Sequence, residues 1–161
     1  MKKLTADILL VLYALTKGVA QKQVTVKSPD GKISCVYREG GQQPTYSVAF
    51  EGQKLVDNAR LAFELDSGYF GKDLKTGKVT TCNGVEKYDL IVGKTSHVES
   101  PFCEAVIPMV ETKSPGRTIE LVVRAFNDGV AFRFVFPRQK GWKSYKMYDE
   151  LTTLDIVGLP E

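Results

Sequence analysis

The clearest pattern in this chain is an alternation of apolar and polar residues between positions 118 and 137. In the first half, four apolar side chains fall on one face: Ile119, Leu121, Val123 and Ala125. The tripeptide Asn127-Asp128-Gly129 predicts a tight turn, and three phenylalanines alternate on the returning strand: Phe132, Phe134 and Phe136. Because the opposite face also carries apolar residues, the pattern predicts a central hairpin rather than a solvated edge.

The same period of two extends over most of the chain after residue 20. Residues 23–37 predict a hairpin around Ser28-Pro29-Asp30-Gly31-Lys32, because Pro and Asp-Gly favour a turn. Further strands are predicted at 45–50, 54–65 and 142–157. The segment 66–78 holds three glycines and three lysines and predicts a surface loop, and Pro108 predicts that 104–111 is an edge strand.

After residue 20 the apolar positions show no sustained period of 3.6 residues. Short strands separated by frequent turn signals are typical of antiparallel sheets packed face to face. The sequence therefore predicts an all-β fold, an antiparallel β-sandwich.

The first 20 residues have the composition of an export signal. Lys2 and Lys3 precede an apolar run at 8–15, and Gly18-Val19-Ala20 offers a cleavage site. The run is about half of the ~20 residues that a membrane span needs. We expect a signal peptide at 1–20, a mature chain that starts at residue 21, a periplasmic or secreted location, and no membrane attachment after cleavage. The alternative is a buried N-terminal helix.

Charge and composition narrow the function classes. The 161 residues include 22 Lys plus Arg and 19 Asp plus Glu, which gives a net charge of +3. No nucleic-acid partner is expected, because such proteins present a clustered basic face. His97 is the single histidine, so no His-rich metal site is expected. Cys35, Cys82 and Cys103 lack C-x-x-C spacing, and either one disulfide with a free thiol or three reduced thiols fits the sequence.

Several segments resemble the N-terminal domain of glycoside hydrolase family 97. VTVKSPDGKISCVY at 24–37 and PTYSVAFEGQKLVDNARLAFEL at 44–65 resemble its first two hairpins. The strongest match is VVRAFNDGVAFRFVFP at 122–137, and YDELTTLDI at 148–156 resembles the segment that follows. The segment SHVESPFCEAVI at 96–107 departs from the family pattern and keeps only Glu104 clearly.

The resemblance implies an exported α-glucosidase or α-galactosidase in which this domain precedes a catalytic (β/α)₈ barrel. A barrel alone needs about 250 residues, so we expect 21–161 to be a partial N-terminal sandwich, incomplete at its C-terminus and without catalytic or metal-binding residues. The family's calcium ligands lie mainly in the barrel, so no cofactor is expected in this chain. The implied partner is that barrel.

Two groups of residues are candidates for function. The family-motif hairpin contributes Arg124, Asn127, Asp128, Gly129 and Arg133. They could meet a sugar or another domain, but we favour a structural role: Asn127 and Asp128 accepting backbone N–H bonds, Gly129 at positive φ, and the arginines pairing across strands. Trp142, Tyr145 and Tyr148 could form a platform for sugar rings, although core or interface packing is favoured because their spacing of three does not keep one strand face.

The remaining ionisable residues give weaker signals. No pair with the spacing of glycosidase carboxylates can be picked from Glu99, Glu104, Glu111, Asp149 and Glu150. Asp66 and Asp73 lack the alternation of calcium loops, so a solvated loop is expected.

The leading hypothesis is a non-catalytic N-terminal domain of an exported glycoside hydrolase, which supports a catalytic barrel and shapes its substrate cleft. The alternatives are a free-standing carbohydrate-binding module, which would use the aromatic group, and an immunoglobulin-like interaction domain. Sandwich folds serve many functions, so the fold does not separate these alternatives.

Overall fold

The computed structural model describes residues 22–40, 42–91 and 97–158. The predicted signal peptide at 1–20 lies outside the described residues. Twelve strands follow one another along the chain: β1 Gln23–Lys27, β2 Ile33–Arg38, β3 Thr45–Phe50, β4 Gln53–Arg60, β5 Phe63–Leu65, β6 Gly68–Phe70, β7 Leu74–Thr76, β8 Thr80–Asp89, β9 His97–Glu111, β10 Thr118–Phe126, β11 Val130–Val135 and β12 Met147–Glu150.

The strands form three antiparallel sheets. The first sheet has the order β1-β2-β3-β4, the second β11-β10-β9-β7 with β8 also on β9, and the third β12-β5-β6. The inner faces of the first two sheets pack together around a core that contains the four apolar residues of β10, all of them buried. The predicted all-β antiparallel sandwich is therefore confirmed.

The hairpin predicted at 23–37 is β1 and β2, with Val26 opposite Cys35. Its turn is closed by Ser28, whose Oγ accepts a bond from the Ile33 N–H at 2.9 Å and donates one to Asp30 Oδ1 at 2.6 Å. Gly31 adopts a φ of 76°, which the Asp-Gly pair favours. This element follows from local turn chemistry, and the sequence is sufficient to predict it.

The predicted surface loop at 66–78 is wrong. The segment contains β6 and β7, and Phe70, Gly71 and Thr76 are buried. Two contacts with distant residues hold β7: the Thr76 N–H donates to Glu39 Oε2 at 2.7 Å, and Lys22 Nζ donates to the Gly77 carbonyl at 2.7 Å.

The edge position predicted for 104–111 is also wrong. This segment belongs to β9, which pairs with β10 on one side and with β7 and β8 on the other. Pro108 is tolerated because the partner strand changes there: β7 ends opposite Met109 and β8 begins opposite Val106. The Pro108 carbonyl accepts the Gly77 N–H at 2.8 Å, so the missing proline N–H faces the gap between β7 and β8.

The prediction of a central hairpin at 118–137 is confirmed for β10 and wrong for β11. β10 is central, but β11 pairs with β10 alone in the described part of the chain. The phenylalanines of β11 still reach the core, since Phe134 packs edge-on against Phe63 with ring centroids 4.5 Å apart.

The segment after β12 covers the edge of the first sheet. The N–H groups of Leu151 and Thr153 donate to the carbonyls of Ala62 and Arg60, and the Val157 N–H donates to the Leu55 carbonyl. Residues 151–157 thus run beside β4, which confirms a strand-like course for part of the predicted 142–157 segment.

Candidate functional site

Arg124 is the centre of a charged cluster on the outer face of the second sheet. It lies directly opposite Glu104 across β10 and β9, and its Nε donates to Glu104 Oε2 at 2.5 Å. Its Nη1 also donates to Glu86 on β8. These bonds, with Glu104 contributing most, raise the pKa of Arg124 above its ordinary value. The guanidinium is therefore held by two carboxylates, which leaves little of its charge for a ligand.

An aromatic ring lies under this arginine. The Arg124 guanidinium carbon is 4.2 Å from the centroid of the Phe102 ring, a distance suited to a cation–π contact. The Phe102 ring also covers Gly84 on β8, where an added Cβ would come within 2.6 Å of the ring. Gly84 is thus required by close approach, although no pattern in the sequence identifies it.

The turn residues of the hairpin have different surroundings. The Asn127 Oδ1 accepts the Asp30 N–H at 3.0 Å, so it joins two turns of opposite sheets instead of closing its own. Gly129 does not adopt a positive φ, so the prediction of a left-handed conformation there is wrong. A Cβ added to Gly129 would meet nothing within 4 Å. The Asp128 carboxylate forms no hydrogen bond with the described residues, and Arg133 is exposed and forms no ion pair with them.

Of the three aromatic residues predicted as a platform, Trp142 and Tyr145 pack together and Tyr148 lies apart from them. Tyr145 stacks on Phe136 with ring centroids 4.4 Å apart and an interplanar angle of 16°, and Trp142 lies 5.4 Å from Tyr145. Trp142 packs against the core and is half-buried. Tyr148 is 65% exposed on β12 and joins none of the aromatic pairs formed by the described residues.

The candidate carboxylates are mostly engaged by basic residues. Glu99 pairs with Lys87, Glu104 with Arg124, and Glu111 with Arg117. Asp73 pairs with Lys113 at 2.9 Å. Within 22–40, 42–91 and 97–158, no group of three or more His, Cys, Asp and Glu residues is arranged to hold a metal ion.

Arg117 belongs to a buried network that the sequence analysis did not identify. Its Nε and Nη2 donate to the two oxygens of Glu111, and Nη1 donates to Ser67 Oγ and the Gly68 carbonyl. The Tyr69 carbonyl accepts a further bond from Nη2. All five guanidinium protons have acceptors, so the network fixes the β9–β10 turn to β6. No spacing signal connects residues so far apart in the chain.

The three thiols are free. Cys35 is buried, and this burial raises its pKa to about 12. Cys82 is exposed and lies opposite Glu104, whereas Cys103 lies opposite Ala125 on the inner face. The Cys82 pKa is raised, first by desolvation and then by Glu104. A catalytic nucleophile has a lowered pKa, so the raised pKa values of Cys35 and Cys82 argue against that role for these two thiols.

His97 lies near the end of the β8–β9 ribbon. Its Nδ1 is 2.7 Å from Asp89 Oδ1, and its Nε2 is 3.7 Å from Glu99 Oε1. All three side chains are exposed, so this is a solvated surface contact.

No helix in the described part of the chain is long and apolar enough to cross a membrane.

Comparisons with known proteins agree on one family. The family model described as "Glycosyl-hydrolase 97 N-terminal" matches residues 26–160. A retaining alpha-galactosidase from Bacteroides thetaiotaomicron is 30% identical over 159 residues, an alignment that covers 94% of this chain and 22% of that protein.

Two solved structures are similar to most of this chain. A glycoside hydrolase family 97 enzyme from Pseudoalteromonas sp. strain K8, in complex with acarbose, superposes with a TM-score of 0.77 at 26% identity and covers 84% of this chain. A beta-arabinopyranosidase gives a TM-score of 0.73 at 26% identity and covers 80% of this chain. In both, the match spans 20% of the solved chain. This chain therefore corresponds to about a fifth of each of these relatives.

Proposed function

This chain belongs to the glycosyl-hydrolase 97 N-terminal family, and from that premise we propose that it supports the catalytic (β/α)₈ barrel of an exported glycoside hydrolase. The observation that carries the proposal is the extent of the match. One family model spans residues 26–160, whereas the alignment that covers 94% of this chain covers only 22% of the related alpha-galactosidase. The domain is non-catalytic, and the chemistry belongs to the remainder of such an enzyme.

The charges of the domain fit a supporting role. Glu104 is bound to Arg124 on the neighbouring strand and Glu111 to Arg117 in the β9–β10 turn, so these carboxylates stabilise the sheet. A glycosidase needs two carboxyl groups facing one sugar, about 5–9.5 Å apart. Any calcium would bind through residues of the barrel, which supplies the catalytic carboxylates.

The proposed place of action is the periplasm or the medium outside the cell. The tripartite pattern of residues 1–20 supports export with cleavage after Ala20. N-terminal sequencing of the protein from a periplasmic fraction tests this proposal: a chain that begins at Gln21 supports it, and an intact Met1 in the cytoplasm overturns it.

The decisive experiment is to sequence the DNA that follows codon 161 and to assay both products. We expect a frame, open or interrupted by one lesion, that encodes a barrel. The chain alone should not hydrolyse aryl α-galactosides or aryl α-glucosides, and the extended polypeptide should hydrolyse one of them. Turnover by the chain alone, or unrelated sequence after the codon, overturns the proposal.

A second candidate function is carbohydrate binding at Tyr145. One face of its ring stacks on Phe136, and 45% of the residue is exposed. An aromatic ring that a stacked neighbour keeps in one orientation can pack against the apolar C–H face of a sugar. Calorimetry with maltooligosaccharides tests it. Binding that Tyr145→Ala abolishes and Tyr148→Ala leaves unchanged supports the Tyr145 site, whereas no heat with the folded protein overturns it.

A further inference from the structure

The segment RQKGWKSYK at 138–146, which lies between β11 and β12, is strongly basic. Four of its nine residues are cationic: Arg138, Lys140, Lys143 and Lys146. This basic segment holds no Asp or Glu, and because the whole chain carries a net charge of only +3, the rest of the chain is slightly negative. All four cations are exposed, and none forms an ion pair with a described residue. Their positive charge is therefore not neutralised by a contact within the described parts of the domain.

Hydrogen bonds hold the backbone of the basic segment in place. The side-chain amide of Gln139 accepts the Thr118 N–H and donates to the Thr118 carbonyl, both at 2.9 Å. The Trp142 N–H donates to the Gln139 carbonyl at 3.1 Å and closes a tight turn, and the Lys146 carbonyl accepts the Asp66 N–H at 2.9 Å. The cations thus project from a backbone that is already ordered, which lowers the entropic cost of binding a ligand there.

Two aromatic residues alternate with the cations in this segment. Trp142 and Tyr145 have ring centroids 5.4 Å apart, and one face of Tyr145 stacks on Phe136. Since 45% of Tyr145 is exposed, a ligand can reach its ring. Aromatic rings pack against the apolar C–H faces of sugars, whereas the neighbouring ammonium groups attract anions. The combination suits a ligand that has both apolar ring faces and negative substituents.

A small cavity of about 130 Å³ lies beside the basic segment, and Lys140, Trp142 and Arg117 contribute to its lining. The indole Nε1–H of Trp142 is buried and has no acceptor among the described residues. A buried donor without a partner is costly, so this N–H marks a position for an acceptor. Arg117 offers no further donor, because its guanidinium protons are already bound. The cavity is smaller than the ~300–1,000 Å³ of pockets that enclose whole ligands, so one group of a ligand would enter it.

We propose that the basic segment binds an acidic oligosaccharide, a glycan whose sugars carry carboxylate groups, as uronic acids do. One carboxylate enters the cavity, where it accepts the Trp142 N–H and pairs with Lys140. The exposed ring of Tyr145 packs against a sugar, and Lys143 pairs with the carboxylate of a neighbouring sugar. The inference rests on the proposed function only in the choice of a glycan as the ligand, since single-stranded nucleic acids also combine negative charge with flat rings.

The salt dependence of binding separates this site from a neutral sugar site. The four cations are exposed, so their attraction to carboxylates is screened as the ionic strength rises. Between about 0.01 M and 0.15 M salt the screening length falls from about 30 Å to about 8 Å. The affinity for an acidic oligosaccharide should fall steeply over this range, whereas stacking of a neutral sugar on Tyr145 should change little.

Titration of the full ¹⁵N-labelled chain with tetragalacturonate tests the proposal. We expect saturable shifts of the amides at 138–146 and of the Trp142 indole N–H, and these shifts should weaken with salt. Maltotetraose, which is neutral and has the same number of sugars, should bind at least tenfold more weakly. No binding of tetragalacturonate, or equal affinity for the two tetrasaccharides, would overturn the proposal. Equal affinity for a single-stranded oligonucleotide of the same charge would also overturn it, because it would show a surface for polyanions in general.

Matched variants distinguish the basic segment from the overall charge. Lys140→Gln combined with Lys143→Gln should weaken tetragalacturonate binding about tenfold or more. Lys27→Gln combined with Lys75→Gln removes the same charge from two other exposed lysines, on β1 and β7, and should leave binding nearly unchanged. Trp142→Phe keeps an aromatic ring but removes the N–H, and a loss of about tenfold is expected. Equal losses in the two double variants, or full affinity in Trp142→Phe, would reject the proposal. The frame after codon 161 tests the proposed function separately, because these titrations use the chain alone.

Discussion

Arg117 Nη2 lies 2.5 Å from Glu111 Oε1, and the two side chains are only 3% and 8% exposed. Such a pair has lost nearly all of its hydration, and it is stable only because every guanidinium proton has an acceptor. The backbone N–H of Arg117 also donates to Glu111, which ties the pair to the β9–β10 turn.

Removal of one partner should therefore be severe. Arg117→Met leaves a buried carboxylate without its cation, and we expect a loss of about 3–5 kcal/mol in the free energy of unfolding. Urea denaturation would measure it. Lys87→Met provides the control, since the Lys87–Glu99 pair is exposed and should change stability by less than about 1 kcal/mol. Similar losses in both variants would contradict this account of the network.

Gly84 should not tolerate a methyl group. Its added Cβ would lie 2.6 Å from the Phe102 ring, which Arg124 and Phe126 hold in place. Gly84→Ala is expected to destabilise the protein by about 1–3 kcal/mol, the cost of overpacking. Gly129→Ala is the matched control: it has open space and no positive φ, so its effect should stay within about 0.5 kcal/mol. A larger loss at Gly129 than at Gly84 would reverse this assignment.

The two glycines show what local patterns can predict. Asn127-Asp128-Gly129 marks a turn correctly, because turn chemistry lies within four residues, but the φ of Gly129 depends on how β10 and β11 close. Gly84 is required by a ring 18 positions away, which no local pattern reveals. The β1–β2 hairpin was predicted for the same local reason, whereas β6 and β7 were missed because distant residues, such as Glu39 and Arg117, hold them.

In the candidate sites, too, only features set by residues close in the sequence are predictable. The alternation in 118–137 placed Arg124 on the outer face of a strand, but not its partner Glu86, 38 residues away. The spacing of Trp142, Tyr145 and Tyr148 argues against a single strand face, and in the structure Trp142 pairs with Tyr145 while Tyr148 lies apart. Phe136, whose ring stacks on Tyr145, belongs to the predicted hairpin at 118–137. The sequence gives no sign that it contacts Tyr145, so this aromatic pair is seen only in the structure.

Thiol reactivity should separate the three cysteines. Cys35 is buried and its pKa is raised to about 12, so it should resist iodoacetamide at pH 8 until the protein unfolds. Cys82 is exposed and should react first, though more slowly than free cysteine, because its raised pKa leaves less thiolate. Mass spectrometry of time points would locate the label. Faster labelling of Cys35 than of Cys82 in the folded protein would contradict the burial described here.

Asp30 provides a pH-dependent contact in the first turn. Its pKa is lowered from 3.8, first by the hydrogen bond from Ser28 Oγ and then by the Lys32 N–H. A carboxyl whose pKa is lower in the folded state than in the unfolded state stabilises the fold above the unfolded value and loses this contribution as pH falls through the folded value. The Asp30 contribution should thus be complete above about pH 4–5 and disappear as acid protonates the carboxylate.

The Asp30 carbon resonance, followed by NMR between pH 2 and pH 6, would measure this pKa directly. We expect a midpoint below 3.8 in the wild type, and a midpoint closer to that ordinary value in Ser28→Ala, which removes the hydroxyl donor. Asp57, whose pKa is lowered first by its hydrogen bond with Lys54, is the internal reference and should keep its midpoint in Ser28→Ala. The Ser28 Oγ also accepts the Ile33 N–H. Ser28→Ala should therefore open this turn, which Asn127 contacts by accepting the Asp30 N–H. An unchanged Asp30 midpoint in Ser28→Ala would assign the lowered pKa to the Lys32 backbone instead.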